Sequence, residues 1–282
     1  VQYFYGAAAR RGTPPIPLQG VWTADGSALP PWKGDIHNDL NTQMTYLAAH
    51  ASGAREAMRG WLDYQWRLLP RYRRFARDFY GVDGAAIPGV MAIDGLPLGG
   101  WGQYSLSPTM GLWVAQSFAL EWRYSQDRRF LRERAYPFVT DLGRAISGLL
   151  RPTADGTLRL PLSTSPELYD NSMKAWLPSP SNFDLSLLHW VFETLDSMAT
   201  TLGNHAAARR AVRKREGEVS QASAIVLMVR SQGSAKAITL HDDVSRHIGA
   251  EIPLSASGPY VSREIFRACR AIRRGSLGTT LR

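Results

Sequence analysis

The chain has one cysteine, Cys269, in 282 residues, so no internal disulfide can staple it. No apolar run reaches the ~18 residues that a membrane-spanning helix needs. The opening "VQYFYGAAARRG" carries no hydrophobic core of a secretory leader and does not begin with Met. The expectation is therefore a fragment or a processed form, with no membrane partner. Acidic residues are in short supply, 24 against 33 Lys and Arg, for a net charge of +9. That excess is local. From His205 to Arg282 there are 14 Lys and Arg against 6 Asp and Glu, a balance of +8, which leaves +1 for the first 204 residues. All nine tryptophans lie in those first 204 residues. The tail in turn lacks the interleaved aromatics on which single-stranded nucleic acid stacks, with only Tyr260 and Phe266. No nucleic-acid partner is expected from it.

Strand signals are sparse as well, and helix periodicity dominates. Leu40, Met44, Leu47 and Ala51 recur at helical spacing and predict an apolar face. Met58, Trp61, Gln65 and Leu68 predict the face of a second helix, ended or kinked by Pro70. A short basic helix then closes at Gly81. Ser107 and Pro108 suit the cap and first turn of another helix. Residues 130–150 continue helically, with an interruption near Pro137. Leu188, Phe192, Leu195, Ala199 and Leu202 give a last clear helix, closed by Gly203-Asn204. Long Gly- and Pro-rich loops (81–106 and 151–183) separate these runs, and loops of that length are usually functional or disordered. The order implies helical hairpins packed side by side, with the loops gathered at one end.

The stretch "PPWKGDIHNDLNTQMTYLAAHAS" (30–52) places Asp35, His37, Asn38, Asp39, Asn41 and Gln43 ahead of a helix. Asn38 or Asp39 could simply cap it, but a cap needs one such side chain rather than six. One histidine among carboxamides has no metal-ligand spacing, so no metal or cofactor is expected. In "PLSTSPELYDNS" (161–172), Thr164-x-x-Glu167 fits a capping box. No sustained helical period follows it, so Glu167 is instead a candidate general acid in apolar surroundings. Trp22, Trp32, Trp101, Tyr104, Tyr169 and Trp176 lie in loops, where aromatic rings can serve as platforms for the flat C–H faces of sugars. Cleaving a glycosidic bond takes two groups flanking it.

These motifs resemble glycoside hydrolase family 95, the inverting α-L-fucosidase family. Its signature reads approximately L-Q-G-I/L-W-N, a spacer, P-P-W, then N-x-N-x-Q-M-N-Y-W. Leu18-Gln19-Gly20-Val21-Trp22, Pro30-Pro31-Trp32 and Asn41-Thr42-Gln43-Met44 fall at the matching spacing. "LSTSPE" (162–167) is similar to the family's P-S-T-S-P-E. "GGWGQYSLSPTMGLWVAQSFALEWRYSQDRRFLRERAYPF" and "SPSNFDLSLLHWVFETL" follow in the family's order. The resemblance covers roughly residues 1 to 210. It implies an all-α fold, an incomplete (α/α)6 barrel of helical hairpins with long loops at one end, acting on an oligosaccharide or glycan. It implies Glu167 as general acid, Asn41 and Asp39 as the pair that positions the attacking water, and Trp22, Trp32, His37, Gln43 and Trp101 as sugar contacts. A secreted or periplasmic location is implied by the family alone.

The departures are specific. Asp39 stands where the family has the first asparagine of its pair. "IPGVMAIDGLPL" stands where a sugar-contacting His-Asn-Thr-Asp stretch is expected. The family's later H-R-H-x-S-H motif is missing, and the basic segment 211–282 occupies its place. The division expected is a partial catalytic domain over 1–210 and an atypical segment over 211–282, either frameshifted or poorly ordered. The competing reading is a catalytically incomplete remnant that still binds carbohydrate.

Overall fold

The computed structural model describes residues 2–18, 32, 34–98, 104, 107–154, 156–166, 168–169, 172–177, 180–211 and 214. The protein is largely helical, built from paired helical hairpins. Helix α1 (Gln2–Ala8) precedes α2 (Asn41–Ala51), which turns at Gly53 into the long α3 (Arg55–Phe75). Helix α4 (Met110–Ser125) is followed by a helical turn at Arg128–Phe130, a π-helical turn at Leu131–Ala135, and α5 (Tyr136–Leu149). Helix α6 (Asn182–Thr201) packs on α5 and α4, and α2 packs on α3 and α4. Two short antiparallel pairs join the loops. Strand β1 (Ile36–His37) pairs with β2 (Val90–Met91), and β3 (Arg151–Pro152) with β4 (Leu158–Arg159).

The core forms where helical faces of large side chains meet. Trp61 stacks on Tyr46 with ring centroids 4.8 Å apart, and its indole N–H reaches Ser117 Oγ on α4 at 3.2 Å. Phe118 stacks on Phe138 at 4.0 Å, tying α4 to α5. Such aromatic pairs contribute about 0.5–1.5 kcal/mol each beyond the area they bury. Asp141 on α5, largely buried, receives Arg73 from α3 at 2.7 Å. At the far end, Glu121 on α4 accepts from His50 (3.0 Å) and Arg55 (3.2 Å), so one carboxylate joins α2, α3 and α4. Burial raises the Glu121 pKa, but these hydrogen bonds and the two nearby cationic groups outweigh it and hold the carboxyl below its ordinary value.

Three sequence expectations need correction. Pro70 does not end its helix, since α3 runs through it to Phe75. Pro70 itself is exposed. A π-helical turn (Ala76–Tyr80) follows, and Gly81 closes the run at φ 70°, a conformation that a Cβ disfavours. The expected cap at Ser107 moves to Thr109, whose hydroxyl makes no capping bond to α4. The interruption near Pro137 is the π-helical turn ahead of it. Proline has no N–H to give the carbonyl four residues back, and the ladder widens there.

The third correction concerns α2. Its expected apolar face is turned outward: Leu40, Met44 and Leu47 are 42%, 53% and 48% exposed. Thr42, Gln43, Tyr46, Ala49 and His50 are the residues it buries. Met44→Lys and Leu47→Lys are therefore expected to change stability by no more than about 0.5 kcal/mol. Phe118→Ala, in the buried stack, is expected to cost about 3–5 kcal/mol. Urea unfolding of the three variants checks this, and a loss of several kcal/mol in either lysine variant contradicts the outward orientation.

Candidate functional site

Residues 38–40 form a turn between β1 and α2, and Asn41 is the first helical residue. The helix N-cap is Leu40, which makes no side-chain capping bond. Capping is therefore not what the polar cluster does. Asn38, fully buried, gives its backbone N–H to Gly89 O at 2.7 Å and its Nδ2 to Pro88 O at 2.9 Å. Thr42 Oγ1 lies 2.9 Å from His37 O and 3.2 Å from Asn38 Oδ1. Gln43 Nε2 donates to Asn38 O at 2.6 Å. Asn38, Thr42 and Gln43 thus spend their hydrogen bonds on shaping the turn, because buried polar groups need partners.

Within that turn His37 and Asp39 are both buried, with His37 Nδ1 3.9 Å from Asp39 Oδ1. Trp32 meets His37 edge to face, ring centroids 5.5 Å apart. Asn41 is half-buried beside them. Of the candidates, the structure sets Trp32, His37 and Asp39 against one another, binds Gln43 to the carbonyl of Asn38 and puts Asn41 at the first position of α2. Glu167, Trp22 and Trp101 lie outside the described residues, as does the basic segment beyond 211 apart from Lys214. Tyr104, taken as a loop platform, is instead buried with Val90 and Met110. Among the described residues no group of three or more His, Cys, Asp or Glu is arranged to hold a metal ion.

The strand preceding Glu167 is anchored at a second buried carboxylate. Ser163 and Thr164 are buried in a non-helical segment, so the capping-box reading of Thr164-x-x-Glu167 does not hold for its first half. Leu177 N–H donates to Ser163 O at 2.8 Å, and Ser181 Oγ to Thr164 O at 2.8 Å. Ser181 caps α6 by accepting from Asp184 N–H at 3.1 Å. Asp184, fully buried, accepts from the Ser163 hydroxyl on one oxygen and the Thr109 hydroxyl on the other. Burial pushes its carboxyl up to about 6, against the lowering effect of hydrogen bonds from Ser163, Thr109 and the Thr164 backbone.

One cluster connects the two regions. Val90, paired with His37, packs with Tyr104 and Met110, and Phe183 packs against them. Phe183 adjoins Asp184, and Met110 adjoins Thr109. Gly89 permits the approach, because a Cβ there would collide with Tyr104 O and stand 2.8 Å from Met110 Sδ. The polar turn and the Ser163–Thr164 segment therefore share one end of the helical assembly. Asp184 itself stood in the sequence only as the aspartate of "SPSNFDLS". Its Ser181-x-x-Asp184 spacing was the available signal, and that spacing describes an ordinary cap.

Asp184 also makes stability depend on pH. Its folded carboxyl titrates near 6, against 3.8 for the unreacted side chain, so between those values the folded state holds the extra proton. The stabilising contribution is complete below about pH 4 and is lost as pH rises through about 6. A shift of this size corresponds to roughly 3 kcal/mol. The difference in unfolding free energy between the wild type and Asp184→Asn, measured in urea from pH 4 to 7, is expected to fall as pH rises. A flat difference contradicts the assignment.

Against known proteins, the sequence signature of the Glycosyl hydrolase family 95 catalytic domain matches residues 1–234. Alpha-L-fucosidase 2 of Arabidopsis thaliana is 28% identical over 207 residues, 72% of this chain and 24% of that protein. Probable alpha-fucosidase A of Aspergillus niger is 29% identical over 175 residues, 59% of this chain and 21% of that protein. The chain spans about a quarter of the length of these curated relatives. A signature running through more than half of the chain, over helices and polar turn alike, establishes that this chain belongs to the glycosyl hydrolase family 95 catalytic domain family.

Proposed function

We propose that this chain is the part of an inverting glycoside hydrolase that carries the general acid and the water-positioning residues, acting on a terminal α-L-fucoside or a related sugar of a glycan. Glu167 protonates the leaving oxygen. Asp39 and Asn41 hold the attacking water, Trp32 and His37 face the sugar together with Trp22 and Trp101, and Gln43 serves the sugar site by shaping the turn that carries them. The helical hairpins belong to an (α/α)6 barrel of which residues 1–210 form a part, with 211–282 a separate basic segment.

The observation that carries this reading is the shared end. The turn bearing Asp39 and Asn41 and the segment leading to Glu167 are joined through Val90, Met110 and Phe183. Glu167 follows Thr164 by three positions in the sequence. Inversion needs room for water between the two groups, a separation of about 6.5–9.5 Å, whereas a retaining pair stands about 5–5.5 Å apart. An aspartate at 39 supplies a carboxylate that can itself accept a proton from the water.

A second reading has its own support. On it the chain is a carbohydrate-binding remnant, in which the Trp32 and His37 rings beside the buried Asp39 hold sugar without turning it over. Incubation with an aryl α-L-fucoside, monitored for both release and binding, separates the two. Under the first reading Glu167→Gln lowers turnover by about 10²–10⁴-fold, the usual contribution of a general acid, and leaves sugar binding within a few-fold. Proton NMR of the first product should show the inverted anomer. Turnover unchanged in Glu167→Gln removes the mechanism. Binding without any turnover in the wild type selects the remnant.

A further inference from the structure

Arginine crowds the outward side of α3. Between positions 67 and 77 the exposed residues are Arg67, Pro70, Arg71, Arg73, Arg74 and Arg77. This stretch holds five arginines and no Asp or Glu, a balance of +5. The first 204 residues as a whole carry +1, so the others among them sum to −4 (1 − 5). The helix macrodipole favours basic groups only in the last turn, which covers Arg73 and Arg74. Arg67 and Arg71 stand further back, and like charges four positions apart disfavour a helix. Helix stability therefore does not account for the arrangement.

The edges of this face are already paired. Arg71 reaches Asp94 at 3.5 Å, Arg77 reaches Asp78 at 3.6 Å, and Arg73 donates to Asp141 at 2.7 Å. Arg67 and Arg74 have no carboxylate partner among the described residues. Seven positions apart, or nearly two turns, they leave the helix on the same side about 10 Å from each other. A guanidinium is a rigid fork that takes a carboxylate in two parallel hydrogen bonds. Two such forks at that separation suit a chain with repeated carboxylates better than one small anion. The aromatic rings nearby are engaged already, which disfavours unstacked bases as the ligand. The Arg134 guanidinium lies 4.7 Å over the Trp66 ring, and Phe75 stacks on Phe79.

We propose that the arginine face of α3 is a binding surface for an acidic glycan, with Arg67 and Arg74 each clasping a carboxylate of a different uronic-acid residue of one chain. The choice of a glycan among polyanions rests on the family of the domain and on the glycan-directed reading above. The test needs no turnover, so the two ideas stand or fall separately.

The experiment titrates the 282-residue chain with polygalacturonate, and with neutral dextran as control, by calorimetry. The wild type is expected to bind polygalacturonate and not dextran, and to bind it more weakly as salt rises from about 50 to about 200 mM. Arg67→Glu with Arg74→Glu is expected to weaken binding at the lower salt by about tenfold or more. The basic segment beyond 211 supplies the control. Arg273→Glu with Arg274→Glu changes the net charge equally and is expected to alter the affinity by less than about threefold. If the α3 double variant does not fold, Arg67→Gln with Arg74→Gln is judged by the same affinity. No binding of polygalacturonate by the wild type, or equal binding of dextran, overturns the proposal. An equal loss in the α3 and tail variants also overturns it, since that is what net charge alone produces. Tighter binding of duplex DNA that the α3 variant abolishes assigns the face to nucleic acid and overturns it as well. Absence of turnover of an aryl α-L-fucoside defeats the hydrolase reading alone and leaves this comparison of affinities intact.

Discussion

A carboxylate removed from water is the constraint around which one end of this protein is organised. Desolvating such a group costs several kcal/mol. The hydrogen bonds that offset this are each worth about 1.5–3 kcal/mol when one partner is charged. Asp184 meets its cost by drawing hydroxyl groups from α4 and from the Ser163 loop. The balance is close, which is why its carboxyl titrates near neutrality rather than in the ordinary acid range. An end built this way has little tolerance for slack, since each hydroxyl withdrawn leaves a buried oxygen unsatisfied. The opposite end repeats the device with Glu121, where cationic partners from α2 and α3 tip the balance the other way.

Between the two carboxylates the helices follow ordinary side-chain packing, and that part was legible in the sequence. Met58, Trp61, Gln65 and Leu68 recur at helical spacing and are all buried. The run from Leu188 to Leu202 reads the same way, and Gly203 ends it at φ 78°. Pro70 was read as ending or kinking its helix, and α3 in fact continues through it to Phe75. Helix α2 was misjudged because periodicity identifies an apolar stripe without saying what covers it. Its polar side was buried instead, since Thr42 and Gln43 are needed to shape the turn at Asn38.

The polar character of the turn ahead of α2 was legible, but its bonding was not. Six polar side chains ahead of one helix exceeded what a cap requires, and the structure gives several of them to the architecture of the turn. His37 remains between Asp39 and Trp32. Asp184 was hidden because its spacing from Ser181 satisfies a commonplace local rule. Only its distant partners, Thr109 75 positions away and Ser163 21 positions away, give it a larger role. Nonlocal pairing of this sort leaves no mark in a window of neighbouring residues.

The outward stripe of α2 bears on how this chain behaves in solution. Leu40 to Leu47 covers eight residues, from the N-cap into the helix, or about 10 Å over seven steps of 1.5 Å. Three large apolar side chains stand along it in water. Contiguous exposed apolar surface attracts copies of itself, and excluded salts such as sulfate strengthen that attraction. Two copies that meet along this stripe gain by shedding water from it.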